Sequence, residues 1–352
     1  MLRGAPCWVS CAALPVGCPA DNRGMSSASD GLTAAPQPVA PAGLAAAETG
    51  AVLARLPATL LRAHGPDAAP FLHGQLANDV TGLPVGGVNR SLSLNHRGHA
   101  MAEASVLRRA KDDLLLVVDD AGGDLVEESL RSHIIFDQVE LQRLPDQVLM
   151  TVQGPVAAEL LGAAPEAGSF AAAQVAGAQV TVWPRRRSAA GGYDLLVAEP
   201  DEAAVVEALT AAGAQDVPFA SMNALRVRAG LPTAGGEGGE GVLPQEAALE
   251  GGLSYRKGCY LGQEIMARIE ARGNLRRSRA RLELAALPQP GSERAITHAG
   301  RTVGLLGTVV QIGSGGGGEP VGEALAVLRN DLPADAELEV GGVTVARRVS
   351  PG

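Results

Sequence analysis

The sequence predicts an α+β protein that ends in a small all-β domain of barrel type. Between residues 51 and 274, aliphatic strand-like runs alternate with helical stripes, and this alternation repeats with similar lengths. After about residue 275 no amphipathic helix follows, and Gly-rich turns separate short strand-like segments. The chain has 352 residues, of which 46% are hydrophobic, enough for two or three domains with aliphatic cores.

The first fifty residues differ from the rest. They are rich in Ala, Pro, Gly and Ser, and they show no sustained helical or strand period. Cys7, Cys11 and Cys18 match no zinc or iron–sulfur spacing, and Pro15 interrupts a weak signal-like stretch. We expect residues 1–50 to be a disordered leader outside the fold. The alternative is a mis-annotated leader, in which translation starts at Met25 and the three cysteines are not part of the protein.

The first α+β elements follow this leader. Phe71, Leu72, Gln75 and Leu76 share one face of a short helix within residues 66–80. The continuous aliphatic run from Leu114 to Val118 predicts a buried strand. Residues 124–136 place their apolar side chains on one helical stripe.

A second set of similar elements comes next. Val148 to Val152 predicts a strand, and Val180–Trp183 and Tyr193–Val197 predict a strand pair joined by a polar, Arg-rich connection. Asp201 is a suitable N-cap for a helix that ends near Gly213. Short strands are then expected near residues 277–284, 302–312, 321–328 and 337–349.

Composition excludes several classes of protein. The formal net charge of −9 and the aromatic content of 3% oppose direct binding of nucleic acid. No apolar run approaches the roughly 20 residues of a membrane-spanning helix. The Gly-rich segments 235–241 and 313–318 lack the strand-to-helix context of a dinucleotide site, so we expect flexible loops there. A single cysteine beyond the leader fits a reducing cytoplasm.

Residues 256–273 concentrate the candidate chemistry. Arg256 and Lys257 flank Cys259, and cations near a thiol favour the reactive thiolate. An inert buried thiol is the alternative, because lone cysteines usually fill cores. Gln263 and Glu264 begin a predicted helix, on which Glu264, Arg268 and Arg272 share a face.

The amino-acid sequence of this segment resembles a motif of a known family. Residues 257–264, Lys-Gly-Cys-Tyr-Leu-Gly-Gln-Glu, resemble the K-G-C-[YF]-x-G-Q-E signature of the YgfZ family, folate-binding relatives of the glycine-cleavage T protein. Residues 71–80 resemble its F-L-x-G-Q-L-x-N-D-V, residues 225–232 its L-R-I-x-A-G-x-P, and residues 244–247 its P-Q-E-A. These motifs occur in the family's order, and the resemblance extends from about residue 52 to the end.

The resemblance implies an architecture and a function. It implies two interleaved α+β domains over residues 51–274 and a C-terminal β-barrel over residues 275–352, around a central channel for tetrahydrofolate or another reduced folate. It also implies a cytoplasmic accessory role in assembly or repair of iron–sulfur clusters. The client enzymes that the resemblance implies include ones that modify tRNA.

The resemblance also implies a set of site residues. Cys259 is the implied functional thiol and Lys257 the residue that tunes it. The implied folate contacts are Asn78, Asp79, Arg97, Arg226, Glu246, Tyr260, Gln263, Glu264 and Arg268. For Asn78 and Asp79, closure of a structural turn is an equally good interpretation. His96 and His99 lie three apart, but they have no evident third ligand, so no metal is expected.

Two departures argue against the alternative, a folate-dependent aminomethyltransferase. Met101 stands where that branch carries the Asp that helps activate folate, and a thioether cannot accept a proton. Arg228 replaces a pterin-contacting Glu. A third hypothesis, RNA binding, uses the basic run that includes Arg277, Arg279 and Arg281, whose alternative role is a solvated strand face.

Overall fold

The computed structural model describes residues 41–119, 122–314 and 320–349. Its first element is helix α1 (Pro41–Thr49), inside the predicted leader. Leu44 and Ala47 of α1 are buried, so the fold begins about ten residues earlier than we expected. These apolar side chains pack into the central core. The hydrophobic periodicity of this Ala-rich stretch is weak, so it did not predict the helix or its tertiary contact. The leader cysteines lie outside the described residues.

Five antiparallel strands form the first sheet. They are β2 (Ala58–His64), β3 (Val88–Leu94), β4 (Ala100–Ala110), β5 (Asp113–Asp119) and β6 (Glu140–Arg143), in the order β3-β4-β5-β2-β6. Helices α2 (Ala68–Gln75) and α3 (Gly123–His133) lie against its outer face, where Leu72 and Leu130 are buried. The strand predicted at Leu114–Val118 and both helices are present.

Six strands form the second sheet. They are β1 (Ala51–Leu56), β7 (Gln147–Gln153), β8 (Ala171–Val175), β9 (Ala178–Pro184), β10 (Gly192–Ala198) and β11 (Ala214–Asp216), in the order β11-β1-β7-β10-β9-β8. Helices α4 (Ala157–Leu161) and α5 (Glu202–Ala211) cover its outer face. Strand β1 therefore precedes the first sheet in sequence but belongs to the second.

The inner faces of the two sheets contribute to one central core. Leu115 and Val117 of β5 enter this core, whereas Leu114, Leu116 and Val118 pack under α2 and α3. Because both faces of β5 are covered, its sequence is a continuous aliphatic run instead of an alternating one. Helix α6 (Phe219–Arg228) adds Met222 and Leu225 to the same core.

Three further elements connect the sheets to the C-terminal domain. These are helix α7 (Ala234–Glu237), a 3-10 turn at Glu250–Gly252 and helix α8 (Gln263–Arg272). Helix α7 overlaps the start of segment 235–241, which we expected to be a flexible loop. The buried carboxylate of Glu237, described below, is the physical reason for this difference.

A closed six-stranded barrel completes the chain. Its strands are β12 (Arg277–Leu284), β13 (Ala295–His298), β14 (Arg301–Ser314), β15 (Pro320–Arg329), β16 (Glu339–Val340) and β17 (Val343–Val349), in the order β12-β15-β14-β13-β16-β17. Leu282, Leu306 and Leu328 fill its interior. The predicted α+β class with a C-terminal β-barrel is confirmed.

The Arg row of β12 docks the barrel onto the rest of the protein. Arg281 Nη1 donates to the carbonyl of Arg228 at 2.8 Å, and Arg279 donates to the carbonyl of Gly230, both at the end of α6. Cations there complement the exposed carbonyls of a helix C-terminus. The row therefore contributes to an internal interface, with its three arginines partly buried. No helix in the described part of the chain is both long and apolar enough to span a membrane.

Candidate functional site

A small cleft, with a free volume of about 20 Å³, lies where the two sheets meet α6. The β1–β2 link, the end of β5, the β9–β10 connection and α6 all contribute to its wall. The lining residues are Leu56, Pro57, Asp119, Arg187, Phe219, Met222, Asn223, Arg226 and Thr233. Apolar side chains therefore share the wall with two guanidinium groups, one carboxylate and one amide.

The position of Arg187 in this cleft is set by two carboxylates. Its Nε and Nη2 donate to Asp194 at 2.8 and 2.6 Å, and Nη2 also donates to Asp119 at 3.0 Å. Asp194 lies fully buried on β10. Burial raises the pKa of Asp194, although the charge of Arg187 opposes that shift. The pairs hold Arg187 rigidly across the gap between the first and second sheets.

A second set of charges continues the network into the first sheet. Arg185 donates to Asp119 at 3.1 Å and to Glu103 of β4, and Arg90 Nε donates to Glu103 at 2.7 Å. Burial opposes ionisation of Glu103, but the guanidinium groups of Arg185 and Arg90 outweigh it and lower its pKa to about 2. Glu103 is thus a permanent anion at neutral pH.

Arg226 extends from α6 into the cleft wall, and its guanidinium group forms an ion pair and hydrogen bonds with residues behind that wall. Nη1 donates to Glu237 at 2.8 Å and to the Leu231 carbonyl at 2.7 Å, and Nη2 donates to Thr308 of β14 at 2.6 Å. Both partners of the ion pair are buried. The structure places Arg226 in the cleft wall, as a ligand contact would require, but most of its donors already have protein acceptors.

Cys259 lies elsewhere, on the loop before α8. Its thiol is free and exposed, so the alternative of an inert buried cysteine is wrong. The neighbouring Lys257 is turned inward: its ammonium donates to the carbonyls of His73, Leu76 and Asn78. Tuning of the thiol by Lys257 stays a prediction, and the contacts that the ammonium makes are with backbone oxygens.

Tyr260 forms the floor beneath this ammonium. Lys257 Nζ lies 4.8 Å from the centre of the Tyr260 ring, within the range of a cation–π contact. Burial raises the pKa of Tyr260 to about 12. Its hydroxyl is buried and has no hydrogen-bond partner among the residues described.

Helix α8 begins directly after this loop. Gly262 precedes it with φ of 83°, and a Cβ there would lie 2.9 Å from the Asn95 carbonyl, so glycine is required. Gln263 Nε2 donates to the Lys257 carbonyl at 3.4 Å. Glu264 and Arg268 form an exposed i,i+4 pair at 3.1 Å, as their spacing predicted.

Asn78 and Asp79 close a turn after α2. Asn78 donates to the Arg90 carbonyl at 2.7 Å, and the Asp79 carboxylate accepts from the Gly82 amide at 2.9 Å. The backbone hydrogen bond from Gly82 is the main reason that the pKa of Asp79 lies below its usual value. Of the two interpretations of this pair, the structural turn agrees with every contact seen.

Arg97 and Glu246 have ionic partners outside the cleft wall. Arg97 pairs with Glu240 at 2.7 Å on the surface. Glu246 accepts two hydrogen bonds from Arg277, at 2.9 and 2.6 Å, and is buried. These contacts assign Glu246 to the barrel interface, where a ligand would have to displace Arg277. Ligand contact by either residue stays a prediction without support from these contacts.

The predicted residues therefore separate into groups. Lys257, Tyr260, Gln263, Asn78 and Asp79 surround the end of α2, and Arg226 alone lines the cleft. Sequence reasoning missed Asp119, Arg187 and Asn223. The Arg-rich connection after Trp183 was the available signal for Arg187, but only the tertiary structure shows which of its arginines faces the cleft. The described residues contain no group of three or more side chains suited to a metal ion.

The chain is similar to known proteins along most of its length. The GCVT N-terminal domain family matches residues 58–257. A tRNA-modifying protein YgfZ from Edwardsiella ictaluri (strain 93-146) is 30% identical over 304 residues, which are 81% of this chain and 88% of that protein. An aminomethyltransferase from Stenotrophomonas maltophilia (strain R551-3) is 28% identical, over 82% of this chain and 78% of that protein.

A solved structure supports the fold. The crystal structure of the glycine cleavage system aminomethyltransferase T from Bartonella henselae matches with a TM-score of 0.70 over 88% of each chain, at 19% identity. At that identity the match establishes the architecture alone. The family match over more than half of the chain, together with the YgfZ relatives, shows that the chain belongs to the YgfZ family of the GcvT superfamily.

Proposed function

We propose that the protein binds tetrahydrofolate in the cleft and supports the assembly or repair of iron–sulfur clusters in cytoplasmic enzymes, including enzymes that modify tRNA. Cys259 is the functional thiol in this proposal. The observation that carries it is the cleft itself, which combines apolar walls with a carboxylate, an amide and two guanidinium groups. The name of the Edwardsiella ictaluri relative, a tRNA-modifying protein, supports the link to tRNA.

The side chains that line the cleft support a reduced folate as its ligand. Within the described part of the chain, Arg187 uses Nε and Nη2 for its carboxylate partners, and the side-chain oxygen of Asn223 accepts from Arg226. Met222 and Phe219 supply apolar contact for the ring systems, and the guanidinium groups suit the glutamate carboxylates. The free volume of the cleft is about 20 Å³, well below the roughly 300–1,000 Å³ of small-molecule sites, so the proposal requires the cleft to widen when folate binds.

Three residues outside the cleft lining, Met101, Glu103 and Arg228, favour this function over aminomethyl transfer. A bound folate supplies an acceptor for one-carbon units, but a transferase also needs a basic group beside it. Met101 lies on β4 without that capacity, and the next carboxylate on the same face, Glu103, is held as an anion by two arginines. Arg228 pairs with Glu323 at 3.3 Å and offers no acceptor to a pterin.

The placement of Cys259 supports a role that involves another protein. The thiol is exposed on a loop, where a partner can reach it without opening the core. One cysteine cannot bind a cluster alone, because clusters are held by several protein ligands. Any cluster contact by this residue therefore requires further ligands, from a client protein, from a second copy of the chain or from the cysteines outside the described residues.

Calorimetry with tetrahydrofolate tests the ligand. We expect saturable binding at one site, and Asn223→Ala should weaken it about 5- to 30-fold, the effect of losing one or two hydrogen bonds. Gln142→Ala is the matched control, since Gln142 is an exposed amide on β6. Absence of binding by the folded protein would refute the folate site, and turnover in a glycine-cleavage assay would establish the aminomethyltransferase alternative.

Complementation tests the thiol. In a strain without this protein, Cys259→Ser should fail to restore a cluster-dependent tRNA modification, whereas the wild-type chain restores it. Ser278→Ala, at an exposed position on the barrel, is a control for expression of a variant. Full restoration by Cys259→Ser would remove Cys259 from the proposed function.

A further inference from the structure

We infer that Lys257 is a positioning residue that holds the Cys259 loop against the end of α2, and that it does not act on the thiol through its charge. The inference rests on the proposed role of Cys259. It differs from the interpretation that the sequence suggested, in which adjacency along the chain made Lys257 the activator of the thiol.

The ammonium of Lys257 occupies a cage of backbone carbonyls. Nζ donates to Leu76 at 2.5 Å, to Asn78 at 3.3 Å and to His73. An ammonium has three N–H donors, so these three acceptors use its full capacity. His73 lies in the last turn of α2 and Leu76 is its C-cap; carbonyls at a helix C-terminus lack helical partners and attract a cation.

The Lys257 ammonium is shielded from solvent by the surrounding residues. Lys257 is 8% exposed, and the ring of Tyr260 covers it. The titratable groups that face it are His73, Asp79 and Tyr260. Burial lowers the pKa of Lys257 to about 8, and the charge of Asp79 opposes this shift. By contrast Cys259 is exposed, and the hydrogen bonds of the Lys257 ammonium are all with backbone carbonyls.

Two weaker contacts fix the loop on either side of the lysine. The Ser254 amide donates to the Ala77 carbonyl at 2.9 Å, before the lysine. Gln263 donates to the carbonyl of Lys257 at 3.4 Å, after it. Lys257 is thus the central contact of the loop with the end of α2, and removing it should release the segment that presents the thiol.

Titration of the lysine amines tests whether the thiol and the ammonium interact. The chain has only two lysines, so ¹⁵N-lysine labelling gives two side-chain signals, with exposed Lys111 as an internal control. Interaction between two titrating groups is reciprocal. We expect Cys259→Ser to leave the Lys257 midpoint unchanged within about 0.3 pH units, whereas a drop of about one unit would overturn the inference.

Lys257→Met tests the positioning role, with Lys111→Met as the matched control. Hydrogen exchange of the amides of residues 254–263 should accelerate at least about tenfold in Lys257→Met, because local opening becomes easier. The midpoint of Cys259 alkylation with iodoacetamide against pH should stay unchanged. Unchanged exchange, or a midpoint raised by about one unit, would contradict the inference.

A further variant keeps the positioning role of Lys257 testable if Lys257→Met does not fold. Lys257→Arg keeps a cation with several donors and should retain most of the loop protection. Neither the exchange nor the titration requires folate or a client enzyme. A protein that shows the predicted loop behaviour but binds no folate would therefore refute the proposed function and leave this inference standing.

Discussion

Arg226 and Glu237 form a buried ion pair in which Nη1 lies 2.8 Å from Oε2. Glu237 also accepts from the Thr233 amide at 2.8 Å and from the Thr308 amide of β14 at 3.0 Å. One carboxylate thereby joins α6, α7 and the barrel at the back of the cleft. Burial opposes its charge, but Arg226 and these amides keep the pKa of Glu237 below its usual value.

We expect Glu237→Gln to destabilise the protein by about 3–5 kcal/mol, because it leaves Arg226 buried without its counter-ion. The free energy of urea unfolding measures this effect. Glu240→Gln is the matched control three residues away, since Glu240 pairs with Arg97 on the surface and should cost less than about 1 kcal/mol. Equal effects of the two variants would contradict the structural role of Glu237.

Acid should destabilise the protein through Glu103. Its pKa falls from 4.5 to about 2 on folding, so the unfolded chain binds more protons between these values. Stability from this group is complete above pH 4.5 and is lost as the pH falls towards 2, on the order of 3 kcal/mol in total. Unfolding free energies measured across this range should fall more steeply in the wild type than in Glu103→Gln.

Glu246→Gln separates a structural role from a ligand contact. We expect a loss of about 1–3 kcal/mol in unfolding free energy, because Arg277 loses the charge of its partner. The affinity for tetrahydrofolate should remain within about twofold of the wild type, a change of less than 0.5 kcal/mol. A large loss of affinity with little loss of stability would instead support the ligand contact predicted from the family motif.

Two phenylalanines test the assignment of core and surface. Phe71 is 5% exposed on α2, and Phe136 is 94% exposed after α3. Phe71→Ala should cost about 3–5 kcal/mol through the cavity that it creates. Phe136→Ala should change stability by less than about 0.5 kcal/mol, as expected for an exposed position. Thermal unfolding of the two variants checks both values.

Local patterns determined a large part of the fold. The aliphatic run of β5, the stripe of α3 and the β9–β10 pair follow from periodicity, because burial repeats along each element with the period of its backbone. The change of pattern near residue 275 likewise identified the barrel. The K-G-C-Y segment identified the family, because a sequence motif is recognised from the types and order of its residues, without knowledge of their neighbours in space.

Tertiary structure decided what the charged residues do. Lys257 is two residues from Cys259 in sequence, yet its ammonium binds the end of α2, about 180 residues away in the chain. Glu237 lies in a Gly-rich stretch but is buried against Arg226, and Arg187 becomes a cleft residue only because Asp194 and Asp119 hold it there. The strength of a charge–charge contact depends on distance and burial in space, and neither quantity is encoded by position along the chain.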